Sequence, residues 1–353
     1  MVQIRLLVAD RDFKFLEKFS MYLHKSKAAR FSLELFTNPG KLEEWIEKGG
    51  KADLMAISSD FFSAMVKKPT DGVLILIDSA ESLVPEGYSS TYKFRPAEAL
   101  MKEIIAQCAD NLPQRSQNKE NKGRVHLVLY ADGSDAVNPL AQMMAEALST
   151  RAPFYLNLDE LSNTDSWFSG TGSKGLTEML YYVKAQKENL SLRADSCTSK
   201  DSRTGIDFMA GHKNPEDISE LTASECQSLI DAIRGRNCCD HLIISRAFRY
   251  DGILPVLLKG ADKIYLTCLD YRSSLARLEK VVQLLSRFEE QNAVELKEKV
   301  QVFITPVEQS QNFQDFDSPY AKICLPFPFE RSSLLIANEY QAAIKTILEK
   351  DVL

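Results

Sequence analysis

The chain has 353 residues, 44% hydrophobic and 26% charged, with a formal net charge of −6, a length that suits two domains with sizeable cores. The acidic balance argues against a nucleic-acid partner, because a phosphate backbone is bound by clustered Lys and Arg. No apolar run approaches the ~20 residues of a membrane span, and the charged start MVQIRLLVADRD is unlike a signal peptide, so we expect a cytoplasmic protein.

The first part of the chain alternates short apolar runs with helical patterns. Strands are predicted at 4–9, 31–36, 54–57 and 73–77, and helices at 13–25, 42–47 and 96–109. Short strands separated by helices are typical of parallel βα units. We therefore predict a first domain over residues 1–112, with a parallel sheet.

A polar segment, 113–124, follows and is predicted to be an exposed linker. Beyond it, strands are predicted at 125–130, 154–158, 241–245, 263–268 and 300–304. Helices are predicted at 139–148, 176–185, 222–234, 272–292 and 332–349. The predicted fold class is thus α/β, with two doubly wound parallel-sheet domains, 1–112 and 125–353.

Three positions in the first domain carry a resemblance to the receiver domains of response regulators. Asp10 follows the first strand, Ser58 ends the third in DLMAIS, and Lys93 stands in KFRP. The resemblance implies a flavodoxin-like fold, a pair of acids for a divalent ion, and a phosphorylated Asp where Ser58 stands. Here Ala9 replaces one acid, and Asp10 with Asp12 nearby is a thin ligand set for Mg²⁺.

A serine hydroxyl without a base is also a poor substitute for the carboxylate that forms an acyl phosphate. We predict a receiver-shaped interaction domain without phosphate chemistry, with Lys93 at the surface or packed. Phosphorylation at Asp10 or Ser58 is the alternative.

The second domain resembles the MinD/ParA group of deviant-Walker-A ATPases, and within it the TadZ/CpaE pilus-assembly proteins, which place an atypical receiver before the ATPase domain. The resemblance spans nearly the whole chain and rests on VHLVLYADGSDAVNPLAQMMAEAL, FYLNLDELSNTDSWF, LTEMLYYVKAQKENLSLR, CDHLIIS and GADKIYLTC. It implies a P-loop NTPase fold with a glycine-rich loop that closes around phosphate oxygens, a signature Lys, a Walker Lys and a hydroxyl that holds Mg²⁺.

The loop after the first strand of this domain reads ADGSDAVNP and contains no lysine. By the resemblance, Asp132 stands at the signature Lys, Val137 at the Walker Lys, and Asn138 at the hydroxyl. Two carboxylates, Asp132 and Asp135, are expected to face a polyanion and repel it, while Pro139 suits the first position of a helix. The vestigial pocket is predicted to comprise Asp132, Gly133, Ser134, Asp135, Val137, Asn138, Asn157, Asp159 and Ser245.

Asn157 replaces one acid of the second strand, and Ser245 replaces the Walker-B acid, which leaves Mg²⁺ without its usual support.

Two other motifs are predicted to have structural rather than functional roles. The GTGSKG of 170–175 matches a dinucleotide fingerprint but does not follow a strand directly, so we predict a turn. Cys238, Cys239 and His241 lack further ligands for zinc and are predicted to be a buried strand edge.

These observations predict no enzyme activity, no metal and no cofactor. The function expected from the resemblance is a non-catalytic assembly or localisation factor of a pilus or secretion machine, a homodimer being one expected form. One alternative is an ATP-binding dimerisation switch with a rebuilt loop, and another is an unrelated small-molecule-binding protein. The polar face of the last predicted helix mixes acids and bases, which disfavours direct membrane binding.

Overall fold

In the computed structural model, the described residues are 4–25, 31–70, 72–79, 81–109, 123–133, 135, 138–170, 172, 174–236, 238–292, 294–307, 318–330 and 335–352. The elements up to residue 109 are, in chain order, β1 (Ile4–Ala9), α1 (Phe13–Lys25), β2 (Phe31–Phe36), α2 (Pro39–Glu47), β3 (Leu54–Ser58), α3 (Ser59–Ser63), β4 (Val73–Ile77), β5 (Ser89–Tyr92) and α4 (Ala97–Cys108). Every neighbouring pair of strands among them is parallel.

The elements from residue 123 onward are β6 (Arg124–Tyr130), α5 (Leu140–Ala147), β7 (Pro153–Asn157), α6 (Thr164–Trp167), α7 (Leu176–Lys184), α8 (Leu190–Cys197), β8 (Ser199–Lys200), β9 (Asp207–Phe208), α9 (Glu216–Ser219), α10 (Ala223–Arg234), β10 (His241–Ala247), α11 (Leu254–Gly260), β11 (Lys263–Leu269), α12 (Arg272–Asn292), β12 (Val300–Thr305), β13 (Ala321–Cys324) and α13 (Asn338–Val352). The predicted strands and long helices are present. The last helix begins at Asn338 rather than at 332, and residues 331–334 lie outside the described residues.

The chain forms two compact units. The first comprises the described residues of 1–116 and 185–197, and the second comprises those of 117–184 and 198–353. The segment 185–197, which the sequence places in the second domain, thus packs with the first unit: Leu192 of α8 joins its core, and the Asn189 side chain donates to the Ala109 carbonyl (3.0 Å). Of the predicted linker, only Gly123 and Arg124 lie within the described residues.

The first unit has a five-stranded sheet in the order β2-β1-β3-β4-β5, the order of flavodoxin-like doubly wound folds. Alternate residues of its strands enter two different cores. Leu6 and Val8 of β1 pack with α1 and α4 on one face, while Leu7 and Ala9 pack with α2 and α3 on the other. Both faces are therefore covered by helices, as in a parallel sheet whose strands are apolar on both sides.

The second unit has an eight-stranded sheet in the order β13-β12-β11-β6-β10-β7-β9-β8, in which β8 and β9 pair antiparallel and the other neighbours pair parallel. Its first strand, β6, lies in the middle, so that the loop after it opens at the centre of the carboxyl edge. Helices α5 and α13 cover one face. The predicted α/β class with two parallel sheets is confirmed.

Local sequence explains where several helices begin. The Asn38 side chain accepts the amides of Gly40 and Lys41, which starts α2 three residues before the predicted boundary. Thr222 and Glu225 form a reciprocal capping box at the start of α10. No helix among the described residues is long and apolar enough to cross a bilayer.

Candidate functional site

In the first unit, Asp10 and Lys93 meet at the carboxyl end of the sheet, although they are 83 residues apart in sequence. The Lys93 Nζ lies 3.1 Å from Asp10 Oδ2 and 3.0 Å from Asp78 Oδ1. Lys93 and Asp10 are buried, whereas the Asp78 side chain is half exposed. Of the two alternatives predicted for Lys93, surface or packed, the structure shows the packed one, and two carboxylates hold its ammonium.

Burial and ion pairing act in opposite directions on this pair. Burial raises the pKa of Asp10, although the Asp12 amide and Lys93 oppose that effect. Burial also lowers the pKa of Lys93, but hydrogen bonds to Asp78 and Asp10 outweigh it and raise that pKa above its ordinary value. The cation at this end of the sheet is thus the protein's own ammonium.

Ser58 occupies the end of β3, where the resemblance places the phosphorylated Asp. Its side chain is completely buried, and its Oγ donates to Asp60 Oδ1 (2.7 Å). Asp12 does not extend an acidic pair either, since its carboxylate accepts the amides of Lys14 and Phe15 at the start of α1. Of the two acids that the sequence offers as metal ligands, Asp10 thus lies beside Lys93 at the carboxyl end of the sheet, whereas Asp12 binds the amides at the start of α1.

In the second unit, the loop between β6 and α5 begins with Asp132, whose carboxylate bonds to the backbone of a neighbouring strand. Asp132 Oδ2 accepts the Leu269 amide (2.9 Å) at the end of β11. Gly133 has a positive φ of 83°, a backbone conformation that favours glycine. The sequence predicted Pro139 at the first position of a helix, but helix α5 begins at Leu140 and Pro139 precedes it. Ser134 and Val137 lie outside the described residues.

Asn138 is completely buried, and its amide connects the loop before α5 to two elements of the second unit. The Nδ2 donates to Thr267 Oγ1 on β11 (2.7 Å), and the Oδ1 accepts the Tyr340 hydroxyl on α13 (3.1 Å). The resemblance assigns this position to a hydroxyl that holds Mg²⁺. Here both polar atoms of the side chain bond to the protein itself.

Asp135 is the centre of a second group of hydrogen bonds. Its carboxylate accepts Gln142 Nε2 (3.0 Å) and Asn163 Nδ2 (2.8 Å), and Gln142 Nε2 also donates to the Tyr155 hydroxyl (3.1 Å). Burial raises the pKa of Asp135, against the effect of these two amide donors. Both carboxylates thus accept hydrogen bonds from their own chain, Asp135 through both oxygens and Asp132 through Oδ2, while Asp132 Oδ1 is buried without a hydrogen-bond partner among the described residues.

The remaining predicted positions lie at the ends of β7 and β10. Asn157 Oδ1 accepts the Asp159 amide (2.8 Å), and Asp159 Oδ1 accepts the Ala247 amide (2.6 Å). Burial, reinforced by the nearby Asp135, raises the pKa of Asp159 to about 6. Ser245 is completely buried, and its carbonyl accepts the Leu158 amide (2.9 Å). The structure therefore gathers Asp135, Asn138, Asn157 and Asp159 at one end of the sheet.

The glycines of 170–175 have a packing reason. A Cβ on Gly172 would lie 2.1 Å from Ser199 Oγ, and one on Gly175 would lie 2.9 Å from the Ala210 carbonyl oxygen. The segment passes too close to neighbouring atoms for larger residues, which explains the glycines without invoking a bound nucleotide.

Cys239 and His241 are buried, but Cys238 is exposed, which corrects the prediction that all three form a buried edge. Within the described residues, no three His, Cys, Asp or Glu side chains are grouped to hold a metal.

Sequence reasoning missed several residues of these clusters, among them Asp78, Gln142, Asn163, Thr267 and Tyr340. Asp78 and Tyr340 lie outside the segments that carry the resemblance, whereas Gln142, Asn163 and Thr267 lie inside them at positions to which no role was assigned. It also missed that His126 and His241 are in contact, with His126 Nε2 3.0 Å from His241 Nδ1 and His126 Nδ1 3.2 Å from the Tyr265 hydroxyl. Burial lowers the pKa of both rings, that of His126 to about 3.

No protein-family model matches the chain, and no curated protein matches it. Among solved structures, it is similar to a ParA family ATPase from Chlorobium tepidum, at 17% identity over 65% of this chain and 93% of that one, with a TM-score of 0.48. It is also similar to the MinD cell division protein of Aquifex aeolicus, at 13% identity over 65% and 97% of the two chains, with a TM-score of 0.48. A plasmid partition protein from Borrelia burgdorferi is similar at 13% identity over 65% and 98%, with a TM-score of 0.47. These neighbours are ParA- and MinD-type proteins.

Proposed function

We propose that the protein is a non-catalytic assembly or localisation factor of a pilus (Flp/Tad-type) or secretion machine, acting through protein–protein surfaces. The resemblance of its sequence to TadZ/CpaE proteins suggests the machine. Two polar clusters, one at the carboxyl end of each sheet, support the absence of catalysis. In each of them, side chains at predicted ligand positions bond to the chain itself: Asp10 to Lys93 in the first unit, and Asp135 and Asn138 to neighbouring side chains in the second.

The hydrogen bonds of Asn138 are the observation that carries this proposal. Both polar atoms of this buried amide already bond to the protein, Nδ2 to Thr267 and Oδ1 to Tyr340. The loop that contains it has no lysine to neutralise a triphosphate. A Mg-nucleotide would have to break these bonds and leave buried hydroxyls unpaired, which costs about 1–3 kcal/mol for each group.

The first unit is proposed to act as a pseudo-receiver, an interaction domain without phosphoryl transfer. The buried ion pair of Lys93 and Asp10 supports this role, because the carboxylate of Asp10 is already paired with an ammonium of the chain. Ser58, with its hydroxyl donated to Asp60, offers no carboxylate nucleophile. Its surface, and not its pocket, is then the part that partners contact.

The proposed location is the cytoplasm, with recruitment to the inner face of the membrane or to the cell pole through partner proteins. Nucleic acid and direct lipid binding are not part of the proposal. Glu339 and Glu349 share the exposed surface of α13 with Lys345 and Lys350, so this helix offers no basic face to anionic lipid.

Nucleotide binding separates this proposal from an ATP-binding switch. The experiment is a thermal unfolding series of the full chain with millimolar Mg-ATP, Mg-ADP and Mg²⁺ alone. We expect no shift in the unfolding temperature. Binding would be detected, because a ligand at about 100 times its dissociation constant adds about 2.7 kcal/mol to the stability. A saturable shift with Mg-ATP alone would establish the switch.

Affinity capture of the tagged full chain from its host cell tests the assembly role. We expect recovery of pilus, secretion or pole-associated proteins. The matched controls are untagged lysate and the charge-introducing variants Phe13→Asp and Phe94→Asp, which alter two exposed side chains of the first unit. Recovery of chaperones alone by the unaltered chain would contradict the proposal.

A further inference from the structure

A groove with a volume of about 380 Å³ lies beside helices α5 and α13 of the second unit. Met143 of α5 is buried and belongs to the core of this unit, and the partly buried Trp167 and Ile336 pack against that core. Leu335, next to Ile336, also lines the groove and is 65% exposed. This groove, which we call the α5–α13 groove, therefore combines apolar walls that continue into the core with a large apolar side chain that solvent reaches.

Hydrogen bonds hold the backbone at two places along the α5–α13 groove. The Glu330 amide donates to the Leu335 carbonyl (2.9 Å), just before α13. Arg203 lies in the turn between β8 and β9, where Asp201 Oδ2 accepts both the amide (2.8 Å) and the hydroxyl (2.6 Å) of Thr204. A ligand would thus meet walls that are already ordered, so that less entropy would be lost on binding.

Glu146, Glu330 and Arg203 are the charged side chains among the described residues that line the α5–α13 groove. Glu146 and Arg203 form an ion pair with each other, and the exposed Glu330 adds a second carboxylate. Two carboxylates against one guanidinium leave an excess of negative charge. A cation would be attracted by both carboxylates, whereas both would repel an anion. The groove therefore favours a positively charged ligand.

Trp167 is a second feature that favours a cation. Among aromatic side chains, an indole ring attracts a Lys ammonium or an Arg guanidinium most strongly when the cation lies over its face. Arginine suits this groove better than lysine, because its planar guanidinium can stack on an aromatic ring and bond a carboxylate through two N–H groups. The volume is near the lower end of the roughly 300–1,000 Å³ of ligand pockets, so the groove suits a short peptide segment and not a helix.

The α5–α13 groove is distinct from the polar cluster centred on Asn138. None of the predicted positions of the vestigial pocket is among the described residues that line it. Helix α5 begins at Leu140, and Glu146 lies about 9 Å further along the helix axis. A ligand can therefore enter the groove while the hydrogen bonds of Asn138 remain in place.

We propose that the α5–α13 groove binds a short basic segment of a partner protein, with an arginine against Trp167 and Glu330 and an aliphatic residue against Leu335. The inference deepens the proposed function and rests on it for the source of the segment, because a factor that acts through protein surfaces needs such a contact. The excess of carboxylates selects the basic residue, and the exposed Leu335 provides the apolar contact beside it. The site is thereby selective, since neither a purely basic nor a purely apolar segment satisfies both.

The first experiment uses the full chain with Trp45→Phe, which leaves Trp167 as its single tryptophan. Its fluorescence is titrated with the capped peptides acetyl-Leu-Arg-Leu-amide, acetyl-Leu-Gln-Leu-amide and acetyl-Leu-Glu-Leu-amide, and calorimetry with the same peptides checks each result. We expect a saturable change with the arginine peptide, at a dissociation constant of about 1 mM or tighter. The glutamine peptide should bind at least about fivefold more weakly, and the glutamate peptide should not saturate at about 20 mM.

A charge reversal tests whether the groove is the binding site. Glu330→Lys should weaken binding of the arginine peptide at least about tenfold and should allow the glutamate peptide to bind. The matched control is Glu349→Lys, which makes the same change near the end of α13, at an exposed position that does not line the groove. It should leave both results as in the unaltered chain. Both positions are exposed, so we expect both variants to fold, which circular dichroism checks.

Four outcomes would overturn the proposal. The first is the absence of saturable binding of the arginine peptide by both methods, and the second is equal binding of all three peptides. The third is equal weakening by Glu330→Lys and Glu349→Lys, which would show a general effect of charge. The fourth is a change in Trp167 emission with protein concentration alone, which would assign the groove to a second copy of the chain.

The peptide experiments and the affinity capture fail in different ways. Peptide binding without capture of any pilus, secretion or pole-associated protein would keep the groove and end the proposed machine. Capture of such proteins equally by the unaltered chain and by the Glu330→Lys chain would keep the assembly role and end the groove as its contact.

Discussion

At the carboxyl end of its sheet, the first unit holds a charged cluster, in which Lys93 lies between Asp10 and Asp78. At the same end of its own sheet, the second unit holds amides and hydroxyls centred on Asn138, which bonds Thr267 and Tyr340. Open parallel sheets usually bind ligands at this end. Here the protein's own side chains bond to one another at both ends, around a buried ion pair in the first unit and around the neutral amide of Asn138 in the second.

The difference has an energetic consequence. A buried charge depends strongly on its partner, since removal of one member leaves the other uncompensated in a medium of low dielectric constant. A neutral hydrogen bond that loses one partner costs less, about the desolvation of one polar group. The two clusters should therefore respond to equivalent substitutions by clearly different amounts.

The two tryptophans allow each unit to be followed separately. Trp45 lies in α2 of the first unit and Trp167 in α6 of the second. Trp45→Phe and Trp167→Phe backgrounds thus give one fluorescent reporter for each unit in the full chain. Urea unfolding of these two backgrounds is the measurement used for the stability predictions that follow.

The largest effect is expected from Lys93→Ala. This change leaves Asp10 buried without its cation, and we expect a loss of about 3–5 kcal/mol in the free energy of unfolding reported by Trp45. The double variant Asp10→Asn with Lys93→Met removes both charges and should lose clearly less than Lys93→Ala. The exposed Lys67→Ala, which breaks a surface pair with Glu47, is the control and should change nothing measurable. A double variant as unstable as the single would contradict this account.

A smaller effect is expected from Asn138→Ala. It leaves the Thr267 and Tyr340 hydroxyls buried without their partner, and we expect a loss of about 2 kcal/mol in the stability reported by Trp167. Tyr340→Phe removes only one hydrogen bond and should cost about 1 kcal/mol. If Asn138→Ala were as costly as Lys93→Ala, the contrast between the two clusters would be lost.

The contact between His126 and His241 is a third buried cluster. Both rings are neutral at pH 7, and burial lowers the pKa of each. The pKa of His126 lies at about 3, while its ordinary value is 6.5. Below pH 6.5, His126 binds a proton in the unfolded chain but not in the folded chain. The free energy of unfolding should therefore fall as the pH falls, by about 1.4 kcal/mol per pH unit. Arg124, Lys263 and His241 add to the repulsion of this proton.

His126→Gln should remove this slope. Between pH 7 and pH 5 the variant should lose about 2 kcal/mol less stability than the unaltered chain, as reported by Trp167. The exposed His24→Gln serves as the control and should keep the full dependence. An unchanged slope in His126→Gln would show that other groups set the acid sensitivity.

The smallest effect is expected from Ser58→Ala. The substitution removes one hydrogen bond to Asp60, a residue that reaches solvent, so the loss reported by Trp45 should stay below about 1 kcal/mol. A loss as large as that of Lys93→Ala would place Ser58 inside the charged cluster, which the contacts do not indicate.

Periodicity predicted most of the long elements, because apolar runs and helical patterns are local signals. It missed β5, whose Ser-Ser-Thr-Tyr sequence is polar and lies at a sheet edge. It also missed α8, whose pattern is weakly amphipathic and whose Leu192 packs with the first unit. Such elements are stabilised mainly by contacts with residues that are distant in sequence, so their own sequences contain only a weak periodic signal.

The sequence by itself determined the α/β class, the loop without lysine and the absence of an acid at Ser58 and Ser245, since each of these is a matter of which residue stands where. Only the tertiary structure decided what those positions do instead. Tyr340 and Asn138 are 202 residues apart, and Lys93 and Asp10 are 83 apart. Hydrogen bonds and ion pairs act over about 3 Å in space, whatever the separation of the residues along the chain. No local sequence pattern could therefore have predicted these two contacts.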